Sequence, residues 1–574
     1  MTLIDWLIVV ILNGSIILFA VLHGRDTKTS SDWFLARRSL PWWIVGLSMY
    51  ATAIDASDLV ADNGGSYSFG ICMFATSWVG IIVGWLFMSQ FIALQMYRLG
   101  MYTNAEYLEA RFGPATRILS ALIQVLYRTV VMGIIGTTVF LTLKIVAGWT
   151  PMIAWTAVVS IAIVATLYTV IGGLRSVAIT DAMQSLIMLS ASFLLFIVVY
   201  SQVGGWSGVE EKLNLQEPHL ADRVLRAGTT RIDVRSVDGL SDKAIGGIRK
   251  LGGTYDRANQ TVTTQTPAWL LGIYFTIAGL AYSIVNHTQA MRMLGSRSEW
   301  DLKMSVVVAG GVMLVVTYLN LSMGIMGRAL YDLSGASVDH VYPNIVRDFT
   351  STGLRGIVVA GIIAASFSTY DSIGSTLSAL LTRDVYGRLL VRDRDEAHYL
   401  KVGRWLTPLV IFGSFGYVPF LQNGGMLLFF LDILGAFVVP LLTIYLMGAL
   451  TRVHRSSAIF GILVGVLYGI VYLASKPIAE NYGVAILVPP LSNKYAVAPI
   501  SMLLTATTMI LVSLVYGWEA SAELRPMDQS GWLAESRLQV QSLVAEKESD
   551  TRLPLLLGCL VAATGIVLSF VVFW

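Results

Sequence analysis

Apolar runs long enough to cross a bilayer recur along almost the whole chain, separated by short polar joints. Read as spans they cover 3–24, 41–62, 69–97, 117–148, 151–171, 178–203 and 266–290. They continue with 303–328, 355–382, 403–420, 424–449, 456–474, 497–517 and 553–574. A helix of about 20 apolar residues spans the hydrocarbon layer and satisfies its own backbone polar groups there. The pattern therefore predicts an all-α polytopic membrane protein of about fourteen transmembrane helices.

Two polar insertions interrupt it. Residues 204–265 are Gly-rich and charged, and read as a small fold of their own or an ordered loop. Residues 518–552 carry a stretch, Glu535–Glu548, that predicts an amphipathic surface helix. With the N-terminus outside, roughly 23 Lys and Arg fall in inner loops and about five in outer ones, leaving 204–265 aside because loops of that length translocate regardless of charge. Both termini are thus expected outside, in the plasma membrane, or the inner membrane if the source is bacterial. Only Arg128 and Lys144 lie within spans away from the ends, where Arg117, Lys303, Arg328, Arg355 and Arg404 sit. The first run, Leu3 to Leu22, lacks a basic start and a small-residue cleavage site and carries Asp5, so it predicts a retained helix.

Composition removes several classes of function. A chain that is 55% hydrophobic and 13% charged, with mean hydropathy +0.69, is not a soluble enzyme. A net charge of +3 gives no case for a nucleic-acid partner. Cys72 and Cys559 sit in separate apolar runs and suggest neither a disulfide framework nor a metal site. No cysteine–histidine cluster lies at membrane depth, so neither an enzyme nor an organic cofactor is expected. The expected partners are the bilayer, a small-molecule solute and an ion, with no obligate protein partner. The sequon Asn259-Gln260-Thr261 is read as chance.

The polar positions inside the apolar runs carry the chemistry. Gly361, Ala364, Ala365, Ser368, Asp371, Ser372 and Ser375 fall on one face of a helix. A carboxylate at membrane depth costs several kcal/mol unless it meets an ion, water or a partner. The stripe therefore predicts part of a path for a polar solute or a cation. Asp55, Asp58 and Asp62, three and four apart, place three carboxylates along one side of the second span. They repel one another unless a cation, a proton or a donor-rich solute sits among them. Where such a helix is unwound, its freed carbonyls become ligands for a hard cation.

Five stretches carry a family resemblance. They are Ala36-Arg37-Arg38-Ser39-Leu40, Tyr102 to Phe112, and Gly172-Gly173-Leu174-Arg175-Ser176-Val177 with Thr180, Asp181 and Gln184. Gln289 to Arg292 follows, then Ala364-Ala365 and Ser368-Thr369 running on to Thr382-Arg383-Asp384-Val385-Tyr386. In this order and spacing, over residues 3–475, the chain resembles the sodium:solute symporters, which include sodium/glucose and sodium/proline cotransporters. The resemblance implies an inverted-repeat amino-acid-transporter-type fold with discontinuous helices. Its two five-helix repeats fall at 41–203 and 266–420. Residues 1–40 become an accessory helix and cytoplasmic loop, 421–517 accessory helices, and 553–574 a C-terminal helix. It also implies alternating access around a midplane site.

The same resemblance implies a sodium site built from the carbonyls of Ala51, Ile54 and Ala365 and the hydroxyls of Ser368 and Thr369. Neutral oxygens hold a monovalent ion loosely enough to release it. Asp181, Asp371 and Ser372 are implied as a second cation site or a proton-binding pair. For the solute, positions that hold a sugar in the sugar-transporting branch are changed here to Asp58, Ser77, Gly279, Met313 and Asp432, while the inner aromatic gate is kept as Tyr282 beside Ser283. The aspartate of the proline-transporting branch is Ala53. Asp55, Asp58, Ser77, Tyr282 and Asp432 are the expected solute contacts. Acidic groups in place of neutral amides favour a solute with several donors or a positive charge. A polyol, an amino-containing sugar, an amino acid and a quaternary amine all satisfy that. Sugar or polyol leads, because that branch aligns without gaps from Arg38 to Gly70. The expected function is sodium-coupled symport with Na+ as coupling ion; the alternative is a non-transporting sensor on the same fold.

Overall fold

A computed structural model of the chain describes residues 1–23, 29–236, 241–250, 253–256, 260–333, 337–421, 426–527, 531–542 and 552–574. Helices dominate them, as the apolar pattern predicts. Eleven are long and apolar enough to cross a membrane, or twelve if a bent pair, Trp42–Ala53 with Asp58–Phe69, counts as one span. That count neither confirms nor excludes the expected fourteen, and two elements account for the difference. The runs 151–171 and 178–203 fall in one continuous element, Pro151–Val203, whose two helices are joined across a turn at Gly173, where φ is +61°. A Cβ at Gly173 would lie 2.7 Å from the Trp33 ring, so both the turn and the close approach require glycine. The run 403–420 falls largely in Glu396–Gly413, a helix that carries Glu396, Lys401 and Arg404 and is too polar to count.

The 204–265 insertion does have structure of its own. A three-stranded antiparallel sheet of β1 (Arg231–Ser236), β2 (Thr254–Asp256) and β3 (Thr261–Thr266) has the order β1-β3-β2. Arg231 pairs with Thr266 across it, and a short helix, Asp242–Lys250, joins β1 to β2. The insertion is tied to the membrane helices by backbone bonds, with Ile71 N donating to Val224 O (2.8 Å) and Ala227 N to Phe573 O (2.7 Å). Asn259 lies outside the described residues. The helix expected over Glu535–Glu548 is found as Trp532–Gln541, with residues 543–551 outside the description. It does not float on the surface. Trp532, Leu533 and Val540 are buried, and the Trp532 ring stacks on Tyr399 at 3.9 Å.

Three features position the interior. The bent pair changes direction by 60° at residues 54–57. The stripe helix, Leu354–Leu380, is buried over nearly its whole length. Helices Cys72–Phe87 and Ala268–Val285 approach backbone to backbone, since a Cβ at Gly80 would fall 2.2 Å from Thr276 O and one at Gly279 2.6 Å from Ser77 O. Small residues permit that contact, as they do between helices in lipid generally.

Candidate functional site

The break in the second span is built by its own aspartates. The helix ends at Ala53 because Ile54 turns to an extended conformation (φ −108°, ψ 92°). The Asp55 carboxylate then accepts from Ser57 N (2.7 Å), Asp58 N (3.3 Å) and the Ser57 hydroxyl. Asp58 Oδ2 returns the bond by accepting from Asp55 N at 2.6 Å. This is the reciprocal logic of a capping box, and it starts the next helical turn inside the membrane. The three aspartates are therefore not one helical stripe, as their spacing suggested. They converge instead because the backbone bends around them.

They converge on a cavity of about 120 Å³. Of the expected solute contacts, Asp55, Asp58, Ser77 and Tyr282 line it, and so do Asp62, Gly279 and Met313. Tyr282 is pinned to the end of the first half-helix, donating to Thr52 O (3.1 Å) and accepting from Gln289 Nε2 (3.4 Å). Asp432 is the exception. Its neighbours Leu431 and Leu434 line the cavity, but its own carboxylate turns away and accepts from Lys494 Nζ and Tyr472 OH, both at 3.1 Å. On a helix adjacent residues point in different directions, so a position inferred by alignment alone can face the wrong neighbour. The cavity adds one residue that the resemblance did not supply, Arg128. Its signal in the sequence was its rarity as a basic residue within a span.

The stripe helix meets the break from the other side. Ser368 Oγ lies 3.2 Å from Ala51 O, with its proton on the shorter bond to Asp181 Oδ1 (2.6 Å), and Thr369 Oγ1 donates to Ala365 O at 2.9 Å. One carbonyl at the end of the first half-helix and one hydroxyl of the stripe helix, more than 300 positions apart in sequence, thus share one location, whereas the Thr369 bond stays within its own helix. Such oxygens suit a hard monovalent cation.

Next to it, Asp181, Asp371 and Ser372 do come together, but around a resident cation. Asp181 accepts from Ser368 Oγ (2.6 Å), Ser48 Oγ (2.6 Å) and Arg292 Nη2 (2.8 Å). Asp371 accepts from Tyr168 OH (2.6 Å) and Ser372 Oγ (2.9 Å), and Ser372 in turn accepts from Arg292. Arg292, Ser48 and Tyr168 were not among the expected site residues. Arg292 could have been found, since it ends one of the motifs that carried the resemblance.

A model of the sodium:solute symporter family matches residues 33–465. The chain belongs to this family. It is similar to sodium/glucose cotransporter 2 of Rattus norvegicus, 27% identical over 488 residues that cover 79% of this chain and 68% of the relative. It is also similar to the sodium/myo-inositol cotransporter of Canis lupus familiaris, 25% identical over 79% of this chain and 64% of the relative. Among solved structures, a Na+-coupled sialic acid symporter in an outward-open state shares the fold, with a TM-score of 0.70 at 18% identity over 90% of this chain and 99% of that one. As a family member the chain is a multi-pass membrane protein of sodium-coupled solute symport, and its relatives are cotransporters rather than enzymes.

Proposed function

We propose that this chain imports a small polar organic solute by alternating access, driven by Na+ entry. The ion sits between the carbonyls of Ala51, Ile54 and Ala365 and the hydroxyls of Ser368 and Thr369. The solute occupies the cavity lined by Asp55, Asp58, Ser77 and Tyr282. The observation that carries this reading is the Ser368 Oγ to Ala51 O contact of 3.2 Å, which joins the broken helix to the stripe helix. An ion bound there ties the two helices together and couples ion occupancy to the shape of the solute cavity, whose wall begins at Ala53. Asp181, Asp371 and Ser372 form a second cation-handling group in which the Arg292 guanidinium supplies one positive charge. The similar proteins are named for glucose and myo-inositol, which makes a sugar or polyol one candidate class beside an amino acid or amine.

The test is uptake in proteoliposomes with and without an inward sodium gradient. Ser368→Ala with Thr369→Val should raise the sodium concentration for half-maximal uptake by roughly tenfold or more, at about 1.5–3 kcal/mol for each bond to a charged group. An unchanged sodium dependence in a folded variant would refute the assignment.

A further inference from the structure

In the charged wall of the cavity Arg128 acts on Asp55 only through space, with neither an ion pair nor a hydrogen bond to it among the described residues. Arg128 is 2% exposed and faces the cavity, yet its Nε and Nη2 have no hydrogen-bond partner. It forms no ion pair among the described residues. The rings of Tyr127 and Tyr282 lie 5.7 and 6.0 Å from its Cζ, contacts to the guanidinium that leave those N–H groups unused. A buried guanidinium with free donors is a costly arrangement for a structural residue, and its planar fork matches a carboxylate.

The aspartates answer with the opposite charge. Asp55 is spent on the amides and hydroxyl of the helix break, and one oxygen of Asp58 is spent on the Asp55 amide. Asp58 and Asp62 are side-chain neighbours, and neither meets a Lys or Arg within ion-pair distance among the described residues. The remaining wall is largely apolar, with Met73, Phe275, Met313, Met426, Leu427 and Phe430 on it. A hexose or a polyol presents hydroxyls on all sides. It would leave many of them against methionine and phenylalanine and would bring no charge for Arg128.

We infer that the solute is a zwitterion of the amino-acid type, whose carboxylate pairs with Arg128, whose ammonium lies between Asp58 and Asp62, and whose less polar body lies against the methionine and phenylalanine wall. This rests on the symporter reading of the same cavity and takes the amino-acid class over the neutral sugar or polyol. A solute lacking either charge leaves one buried group unpaired, which is how such a site rejects neutral analogues.

The purified full-length chain, in sodium chloride, is screened by thermal shift against the common L-amino acids, D-glucose and myo-inositol. The amino acid that stabilises most is then compared with its own amide, which keeps only the ammonium, and with its deaminated acid, which keeps only the carboxylate. The expected result is binding of each analogue weaker by roughly thirtyfold or more. Arg128→Gln should abolish the preference for the amino acid over its amide, and Asp62→Asn its preference over the deaminated acid. The analogue comparison uses the natural chain, so it stands even if a variant fails to fold. Stabilisation by glucose or myo-inositol with no amino acid effective overturns the inference. So does an amide that binds as well as its parent, or a panel in which no amino acid acts. Sodium-driven uptake of a neutral sugar would sink the zwitterion and keep the symporter, whereas solute uptake indifferent to sodium would sink the symporter itself.

Discussion

Replacing Arg117 by methionine should destabilise the protein by about 3–5 kcal/mol, the cost of breaking a buried ion pair by removing one partner. Arg117 is fully buried near the start of helix Pro114–Val146. Its Nε donates to Asp384 Oδ1 (2.6 Å), Nη1 to Glu109 Oε2 (2.6 Å) and Nη2 to Glu106 Oε1 (3.2 Å). Arg383 also reaches Glu106 (3.2 Å) and Arg388 reaches Glu109 (2.7 Å), so three guanidiniums balance three carboxylates. Methionine keeps the bulk and leaves one negative charge uncompensated. Burial alone would raise the Glu106 carboxyl, but the Arg383 and Arg117 guanidiniums outweigh it and hold it below the usual glutamate value. A carboxylate depressed in this way contributes stability that is present above its unfolded value and lost as pH falls through the folded one. Without Arg117 the carboxyls take up protons at higher pH, which relieves the excess charge. The deficit of the variant should therefore narrow as pH falls toward the usual glutamate value. Thermal unfolding of the detergent-purified protein at several pH values measures it. A midpoint like that of the natural chain, or a deficit that holds or grows on acidification, would refute the reasoning.

Asp432→Asn should leave solute preference within about twofold and cost no more than about 1 kcal/mol, because the Asp432–Lys494 pair is partly exposed and lies off the cavity; a changed preference in competition uptake would contradict this. Gly80→Ala should cost about 1–3 kcal/mol and weaken solute binding, since its methyl group would strike Thr276 O and force apart the helices that wall the cavity. Full stability and unaltered binding in that variant would count against the close helix contact.

The stripe on Leu354–Leu380 was legible because side-chain identity and helical period together say which residues share a face, and every residue of it is buried as the polar path requires. The motif resemblance led to Ser368 and Ala51, and the structure sets them 3.2 Å apart. The aspartates of the second span were legible as a cluster and misread in form, because helical spacing presumes an unbroken helix. The break follows from bonds between Asp55, Ser57 and Asp58 that only become visible once the backbone leaves the helix at Ile54. The runs 151–171 and 178–203 were legible as two helices, but the turn at Gly173 that joins them into one continuous element depends on the close approach of Trp33, which hydropathy does not report.

By itself the sequence determined the environment and the class of machine: long apolar runs demand helices in a bilayer, and a carboxylate among them demands a cation, a proton or a polar solute. Only the tertiary structure decided which charges face one another. It turned Asp432 toward Lys494, set Arg292 beside Asp181, and left Arg128 with unpaired donors at the cavity. Those outcomes depend on which helices cross and at what rotation. Electrostatic energy depends on distance through space, and separation along the chain does not report it.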